Sequence, residues 1–190
     1  DAENAQSGGI GGGVGRSPVQ PVKFPHPVHV NALKMNCAFC HNAANQSPDP
    51  GLPAVGTCMG CHLIVAAGRP EIAKLTEYWN NKQPVPWVRV HVMPDYVYFN
   101  HSAHVTAGVS CVSCHGRIDQ MDEVAHAKPL SMSFCLDCHR NPEKYVRPKD
   151  QILNMSWSPP ANQAEIGPEL VRQYHIRGGE RLTECGICHR

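Results

Sequence analysis

The chain has 190 residues, of which 17 are basic and 16 acidic, for a net charge of +1, and only 17% of its side chains are charged. Such a balance excludes the basic footprint of a nucleic-acid binder. With 17 prolines and 16 glycines the composition favours turns and extended connections over long helices. No apolar run reaches the length of about 18 residues needed for a membrane span. Nor is there a charged start followed by an apolar stretch, so a signal sequence is expected to be removed or outside the chain.

In chain order, residues 1–23 open with the run Ser7-Gly8-Gly9-Ile10-Gly11-Gly12-Gly13-Val14-Gly15, which is expected to form a flexible or partner-draped tail. Residues 24–62 and 99–145 then repeat one pattern. Phe24-x-His26-x-x-His29 precedes Cys37-x-x-Cys40-His41 and Cys58-x-x-Cys61-His62; Phe99-x-His101-x-x-His104 precedes Cys111-x-x-Cys114-His115 and Cys135-x-x-Cys138-His139. Repeats on this scale imply supersecondary units that bury faces against each other. Between them, residues 63–98 form a linker. Ile72, Leu75 and Trp79, spaced by three and four, predict a helix over 69–79. The Val, Tyr, Trp and Phe content of 85–99, broken by Pro86 and Pro94, predicts extended segments. Residues 146–190 carry a fifth motif, Cys185-x-x-Cys188-His189, and are otherwise expected to be loop.

All 10 cysteines fall in these five Cys-x-x-Cys-His segments, with none left over. Disulfides, zinc and thiol exchange also use paired cysteines, but none of them demands a histidine after every pair. Each segment is a c-type haem attachment site. Two thiols three positions apart form thioethers to the two vinyl groups of one porphyrin edge, and the following imidazole ligates the iron from below. Five covalently bound haems c are therefore expected. Sharing 190 residues among five cofactors leaves 38 residues each, too few for a conventional core. The fold class expected is mostly irregular with short α-helices, one helical turn under each motif, and the haems themselves as the core: a multihaem cytochrome c. Five ferric haems, each near −1 with both propionates ionised, bring the charge to about −4.

His41, His62, His115, His139 and His189 are the iron ligands given by the motifs. Of 12 histidines and six methionines, further ligands come from repeat position. His26 and His101, 11 and 10 residues ahead of Cys37 and Cys111, are assigned to the first and third haems. His29 and His104, three residues on, are assigned to other haems of the array, so that one short segment ties two haems together. His175, 10 residues before Cys185, is a candidate for the fifth haem. His91 in the aromatic linker and Met132, three residues before Cys135, complete the candidates; a His/Met iron would sit at higher potential than its bis-His neighbours. His126, without a repeat partner, is expected on the surface. The other methionines are expected to pack.

With two protein ligands on every iron no substrate position remains, and no Cys-x-x-Cys-Lys occurs, so electron transfer is expected, with haem edges packed about 3.5–4 Å apart at the closest. The Phe-x-His-x-x-His module followed by CxxCH resembles class III multihaem cytochromes of the c3/c7 type. Cys58–His62 after Leu52-Pro53, the stretch Val90–His104, and Leu130-Ser131-Met132 through Cys135–Arg140 resemble more specifically the pentahaem subunit of bacterial alternative complex III. That resemblance covers residues 24–145 and implies a periplasm-facing subunit of a membrane quinol-oxidising complex. It implies as partners an iron–sulfur subunit, integral membrane subunits and a monohaem cytochrome c or terminal oxidase, with membrane association through those partners or through an N-terminal anchor. Two alternatives stand beside it: a free periplasmic shuttle, against which the lack of a lysine-rich face argues, and a multihaem reductase. Alkaline pyridine spectra of the purified holoprotein should give five haems c per polypeptide, and replacing both cysteines of one motif by serine should give four.

Overall fold

The computed structural model describes residues 13–189. Among them nine α-helices alternate with irregular chain: α1 (Cys37–Cys40), α2 (Val55–His62), α3 (Pro70–Asn80), α4 (His101–Thr106), α5 (Cys111–His115), α6 (Met132–Arg140), α7 (Gln163–Gln173), α8 (Gly179–Leu182) and α9 (Cys185–Cys188). Single π- or 3₁₀-turns stand at Pro27–Ala32, Ile118–Gln120, Pro142–Lys144 and Lys149–Gln151. The strand pairing among the described residues is one isolated antiparallel bridge, Val97 with His189. The fold is thus mostly short helices and irregular chain, as the composition requires.

All five CxxCH segments lie on or at the end of a helix: α1, α2, α5, α6 and α9. Local chemistry starts several of these short helices. Asn36 accepts a hydrogen bond from the Ala38 amide at 2.8 Å, Asn100 from Ala103 at 3.3 Å and Ser131 from Phe134 at 3.3 Å, each satisfying an orphan amide of a first turn. Helix α3, expected over 69–79, opens instead on Pro70 at its first position with Glu71 in its first turn. Pro costs no hydrogen bond there and the acidic side chain meets the positive helix end.

Few apolar side chains are buried among themselves. One cluster joins Val22, Met59, Leu75 and Val85, with Val55, Ile72, Tyr78 and Trp87 packed around it; it seats α2 on α3. Val146, Ile152, Met155 and Leu170 are also buried. Meanwhile Phe39, Leu63, Ile64, Tyr96, Tyr98 and Met132 are more than half exposed, and each lies within a few residues of a CxxCH segment or of its bonded partner.

Three expectations need correction. Of the tail expected over 1–23, residues 1–12 lie outside the described residues, and the described part is bonded to the rest of the chain. Gly15 N donates to His126 O at 2.8 Å and His126 N to Arg16 O at 2.9 Å. Gln20 exchanges two bonds with Val88, at 2.9 and 3.0 Å, and Val22 enters the core. His126 is not on the surface: it is 1% exposed, fastened by those bonds to the segment ahead of the first repeat. The C-terminal third is not all loop. Helix α7 runs through Pro168, and its Gly167 lies so close to the turn at Pro142–Lys144 that a β-carbon there would come within 2.1 Å of Glu143 O. Gly167→Val should therefore destabilise the holoprotein by about 1–3 kcal/mol, read as a lower denaturation midpoint. Gly178→Ala, where a methyl group meets nothing within 4 Å, should stay within about 0.5 kcal/mol of the parent.

Candidate haem sites

The two Phe-x-His-x-x-His segments share one geometry although one lies at a π-turn and the other on α4. Phe24 meets His26 edge-on, 4.9 Å between centroids at 85°, and stacks on His29 at 4.3 Å and 22°. Phe99 meets His101 at 4.7 Å and 87° and stacks on His104 at 4.3 Å and 25°. In each copy the phenyl ring is a wedge between two imidazoles. It turns one ring against its edge and lays the other on its face, so the two point to different sides.

Seven imidazoles have Nδ1 on a backbone carbonyl. His41 pairs with Gly51 O at 2.9 Å, His62 with Val65 O at 2.9 Å, His139 with Leu182 O at 2.9 Å and His189 with Tyr96 O at 3.3 Å. His29 pairs with Pro25 O at 3.0 Å, His101 with Pro48 O at 2.8 Å and His104 with Asn100 O at 2.8 Å. A carbonyl only accepts, so the hydrogen sits on Nδ1 and Nε2 keeps its lone pair. This second partner is what orients a metal-binding histidine. Burial first, and neighbouring imidazoles second, draw His26 down to about 4 and His115 to about 3. At neutral pH both are uncharged, the form that ligates iron.

The rings also stand at a ligating separation. His29 faces His62 at 6.1 Å, His101 faces His115 at 6.4 Å and His104 faces His139 at 6.0 Å. Two imidazoles on opposite sides of one metal, each with its nitrogen about 2 Å away, have centroids roughly 6–6.5 Å apart. His41 is, after burial, the group that most depresses His26. The donor set therefore fits bis-imidazole iron in both repeats.

The remaining candidates are placed differently. His91 lies 4.4 Å from the His115 ring and 5.0 Å from His126, too close for an iron between either pair. Its Nε2 lies 3.4 Å from His115 Nδ1, where the other motif histidines have a carbonyl. His126, buried beside it, has neither ring nitrogen hydrogen-bonded among the described residues. The ring against His189 is Tyr96, at 5.9 Å. His175 is exposed in a left-handed conformation after α7, and Met132 is 62% exposed at the head of α6.

None of the ten cysteines is in a disulfide. Burial raises several thiols, with neighbouring thiols next. For Cys58 that neighbour is Cys40, for Cys111 it is Cys37, for Cys114 it is Cys138 and Cys135, and for Cys135 it is Cys188. The motifs are therefore clustered in space although spread from residue 37 to 189.

Residues 97–190 match the family described as "Cytochrome c7 and related cytochrome c". Over these residues the chain has a small c7-like multihaem fold. Covalently bound haem c follows for its three CxxCH segments. The cytochrome is also similar to the "Menaquinone reductase, multiheme cytochrome c subunit" of Nitratidesulfovibrio vulgaris (strain Hildenborough), 38% identical over 97 residues. That alignment covers 50% of this chain and 45% of the relative, so the chain spans about half the relative's length.

Spacing alone named the cysteines and histidines of this cytochrome. It did not name the seven carbonyls that fix the tautomers, because a carbonyl carries no residue signature. Nor did it give the phenyl wedges their role, although both phenylalanines stood in the repeat. Phe99→Ala should cost about 0.5–1.5 kcal/mol for each of its two ring pairs. It should also convert part of the low-spin ferric spectrum of the holoprotein to high spin, as His104 loses its stacked support.

Proposed function

We propose that the chain binds five haems c and relays electrons within a membrane quinone-linked respiratory complex, on the extracytoplasmic face. The observation that carries this reading is the set of three imidazole pairs at 6.0–6.4 Å whose Nδ1 hydrogens are committed elsewhere. Such pairs would hold an iron from two sides, and bound haem so held would favour one-electron transfer over chemistry on a substrate. Bound haem supplies ferric–ferrous cycling, and the protein tunes it through ligand, burial and nearby charge.

In this reading His41, His62, His115, His139 and His189 hold the irons from the motif side. His26, His29, His101 and His104 close the first four. The second ligand of the fifth iron comes from His175 or Met132; His91, held between His115 and His126, is set aside. Cys37, Cys40, Cys58, Cys61, Cys111, Cys114, Cys135, Cys138, Cys185 and Cys188 carry the thioethers.

No helix among the described residues is long and apolar enough to cross a membrane, so integral subunits or a separate anchor would hold this chain at the bilayer. The partners proposed are those of the resemblance to alternative complex III: an iron–sulfur subunit on one side and a monohaem cytochrome c or terminal oxidase on the other. The similar protein named as a menaquinone reductase subunit favours a second reading with electrons flowing toward quinone. Both place the chain between a quinone site and a soluble-side partner; they differ in direction.

In mild detergent the chain should co-migrate with integral membrane and iron–sulfur subunits; migration as a free 20.8 kDa chain plus its haems would support a shuttle instead. The as-isolated ferric protein should be low-spin throughout and leave carbon monoxide unbound after reduction. A high-spin iron that takes up carbon monoxide or nitrite would point to a reductase. Added quinol reducing the complexed haems, or reduced complex oxidising itself with quinone, decides the direction.

A further inference from the structure

The two repeats touch through reciprocal contacts. In the first, the ligand segment reaches into the second repeat beyond its first motif: His26 N donates to Met121 O at 3.2 Å and Asn31 Nδ2 to Asp119 O at 2.7 Å. In the second, the ligand segment reaches into the first repeat beyond its first motif: His101 N donates to Pro48 O at 3.2 Å, Ser102 N to Ser47 O at 3.2 Å, and His101 Nδ1 to Pro48 O at 2.8 Å. Position for position these are the same bond. His26 and His101 are equivalent in the repeat, and Met121 and Pro48 lie six and seven residues past the first motif histidine of their own repeat. Residue i of one copy meets j of the other, and j meets i, which is the signature of a two-fold contact.

That symmetry fixes which motifs are central. A two-fold built on the first motif of each repeat brings the Cys37–His41 and Cys111–His115 segments together and sends Cys58–His62 and Cys135–His139 outward in opposite directions. The phenyl wedges at Phe24 and Phe99 keep each outer motif beside its own inner one, since each wedge touches one imidazole of the inner pair and one of the outer pair. The fifth motif joins one outer end only. His139 Nδ1 donates to Leu182 O at 2.9 Å, and a β-carbon on Gly179 would lie 2.9 Å from Arg140 O. Tyr98 N donates to Cys188 O at 2.8 Å, next to Phe99.

We infer that the five attachment segments lie in the spatial order second, first, third, fourth, fifth, so that the segment at Cys58–His62 and the segment at Cys185–His189 are the two ends of the relay. The inference rests on the five-haem reading above. Exposure agrees with it: of the ten cysteines, the exposed ones are Cys61 and Cys185, one in each end segment. The thiol neighbours described above run along the same path. Electrons would then cross the surface of this chain at two places. One is beside Leu63, Ile64 and Val65, which follow the second motif and are 62%, 88% and 56% exposed; the other is beside Tyr96 and Tyr98.

Neighbouring irons repel one another's charge, so removing one shifts the potentials of those beside it. Holoprotein variants lacking the first attachment (Cys37→Ser with Cys40→Ser) or the second (Cys58→Ser with Cys61→Ser) should each show four haems by pyridine spectra. In spectroelectrochemical titrations followed by EPR, loss of the first attachment should shift the potentials of two remaining haems, and loss of the second that of one. The opposite pattern, two shifted by loss of the second and one by loss of the first, means sequence order and overturns the inference. If the variants do not mature, iron positions from anomalous diffraction of the wild-type holoprotein answer the same question. The first and third irons should be interior, and finding either at an end overturns the order. Haem content of the wild type separates the two claims. Fewer than five overturns the functional reading and this inference with it, whereas five in another order overturns the inference alone.

Discussion

A hydrogen bond from a histidine Nδ1 to a main-chain carbonyl recurs seven times in this chain, and the rest of the architecture is arranged to supply it. An imidazole has two nitrogens and one mobile hydrogen, and its ring swings freely unless one nitrogen is tied. Tying Nδ1 to an acceptor settles tautomer and direction together. Three of the ties are local, four residues or fewer away: His29 to Pro25, His62 to Val65 and His104 to Asn100. His41 reaches Gly51, 10 residues on, and the other three reach across the chain, over 53 residues for His101, 43 for His139 and 93 for His189. The irregular backbone serves this purpose, since carbonyls locked in helix or sheet ladders are already engaged and could not turn toward a ring. The composition rich in proline and glycine is what leaves such carbonyls free.

His115 departs from the pattern, and the departure is informative. Its Nδ1 meets the imidazole of His91 instead of a carbonyl, with His126 buried behind. Burial lowers His91 to about 4, His126 and His101 adding to it, so His91 is neutral at pH 7 and its Nε2 shares a single hydrogen with His115 Nδ1. Three imidazoles in a row replace one peptide oxygen at the central motif of the second repeat. The linker that carries His91 is bonded there to the segment 13–23 through Arg16 and Gln20, so the beginning of the described chain braces the His91–His115 contact.

How much of this was legible in the sequence follows from what each feature needs. Thioether attachment needs two thiols and an imidazole within five residues, and so all five motifs could be read directly. The paired imidazoles needed only the repeat, because Phe24 and Phe99 stand at the same offset from their histidines. Helix α3 could be read since Ile72, Leu75 and Trp79 keep the helical period and Pro70 marks its start. Helix α7 could not: Gly167 and Pro168 sit in its middle, where both normally disfavour helix, and only the close approach of Gly167 to Glu143 explains why a glycine is there. His126 misled for a related reason. Nothing nearby in sequence signals burial, and the strand-like bonds that bury it come from residues 15 and 16, more than a hundred positions away.

The linker between the repeats acquires a physical reason from the reciprocal contact. If the motifs followed one another in space as they do in sequence, the second would lie beside the third, and a few residues would join them, as in most compact connections. With the first and third at the centre, the chain finishes the first repeat at an outer end and must travel back to the middle before beginning the second. Residues 63–98 make that return. Helix α3 folds back on α2 and buries Leu75 against Met59. Residues 85–90, outside any helix and turned at Pro86 by a Trp87 N–Val85 O bond of 2.9 Å, then run beside the segment 13–23, and Tyr98 arrives at Cys188 just ahead of Phe99. The same return places Tyr96, whose carbonyl holds His189, next to the wedge that holds His101 and His104. The linker thereby positions the fifth motif as well as joining the two repeats, through the Tyr98 N–Cys188 O and His189 Nδ1–Tyr96 O bonds.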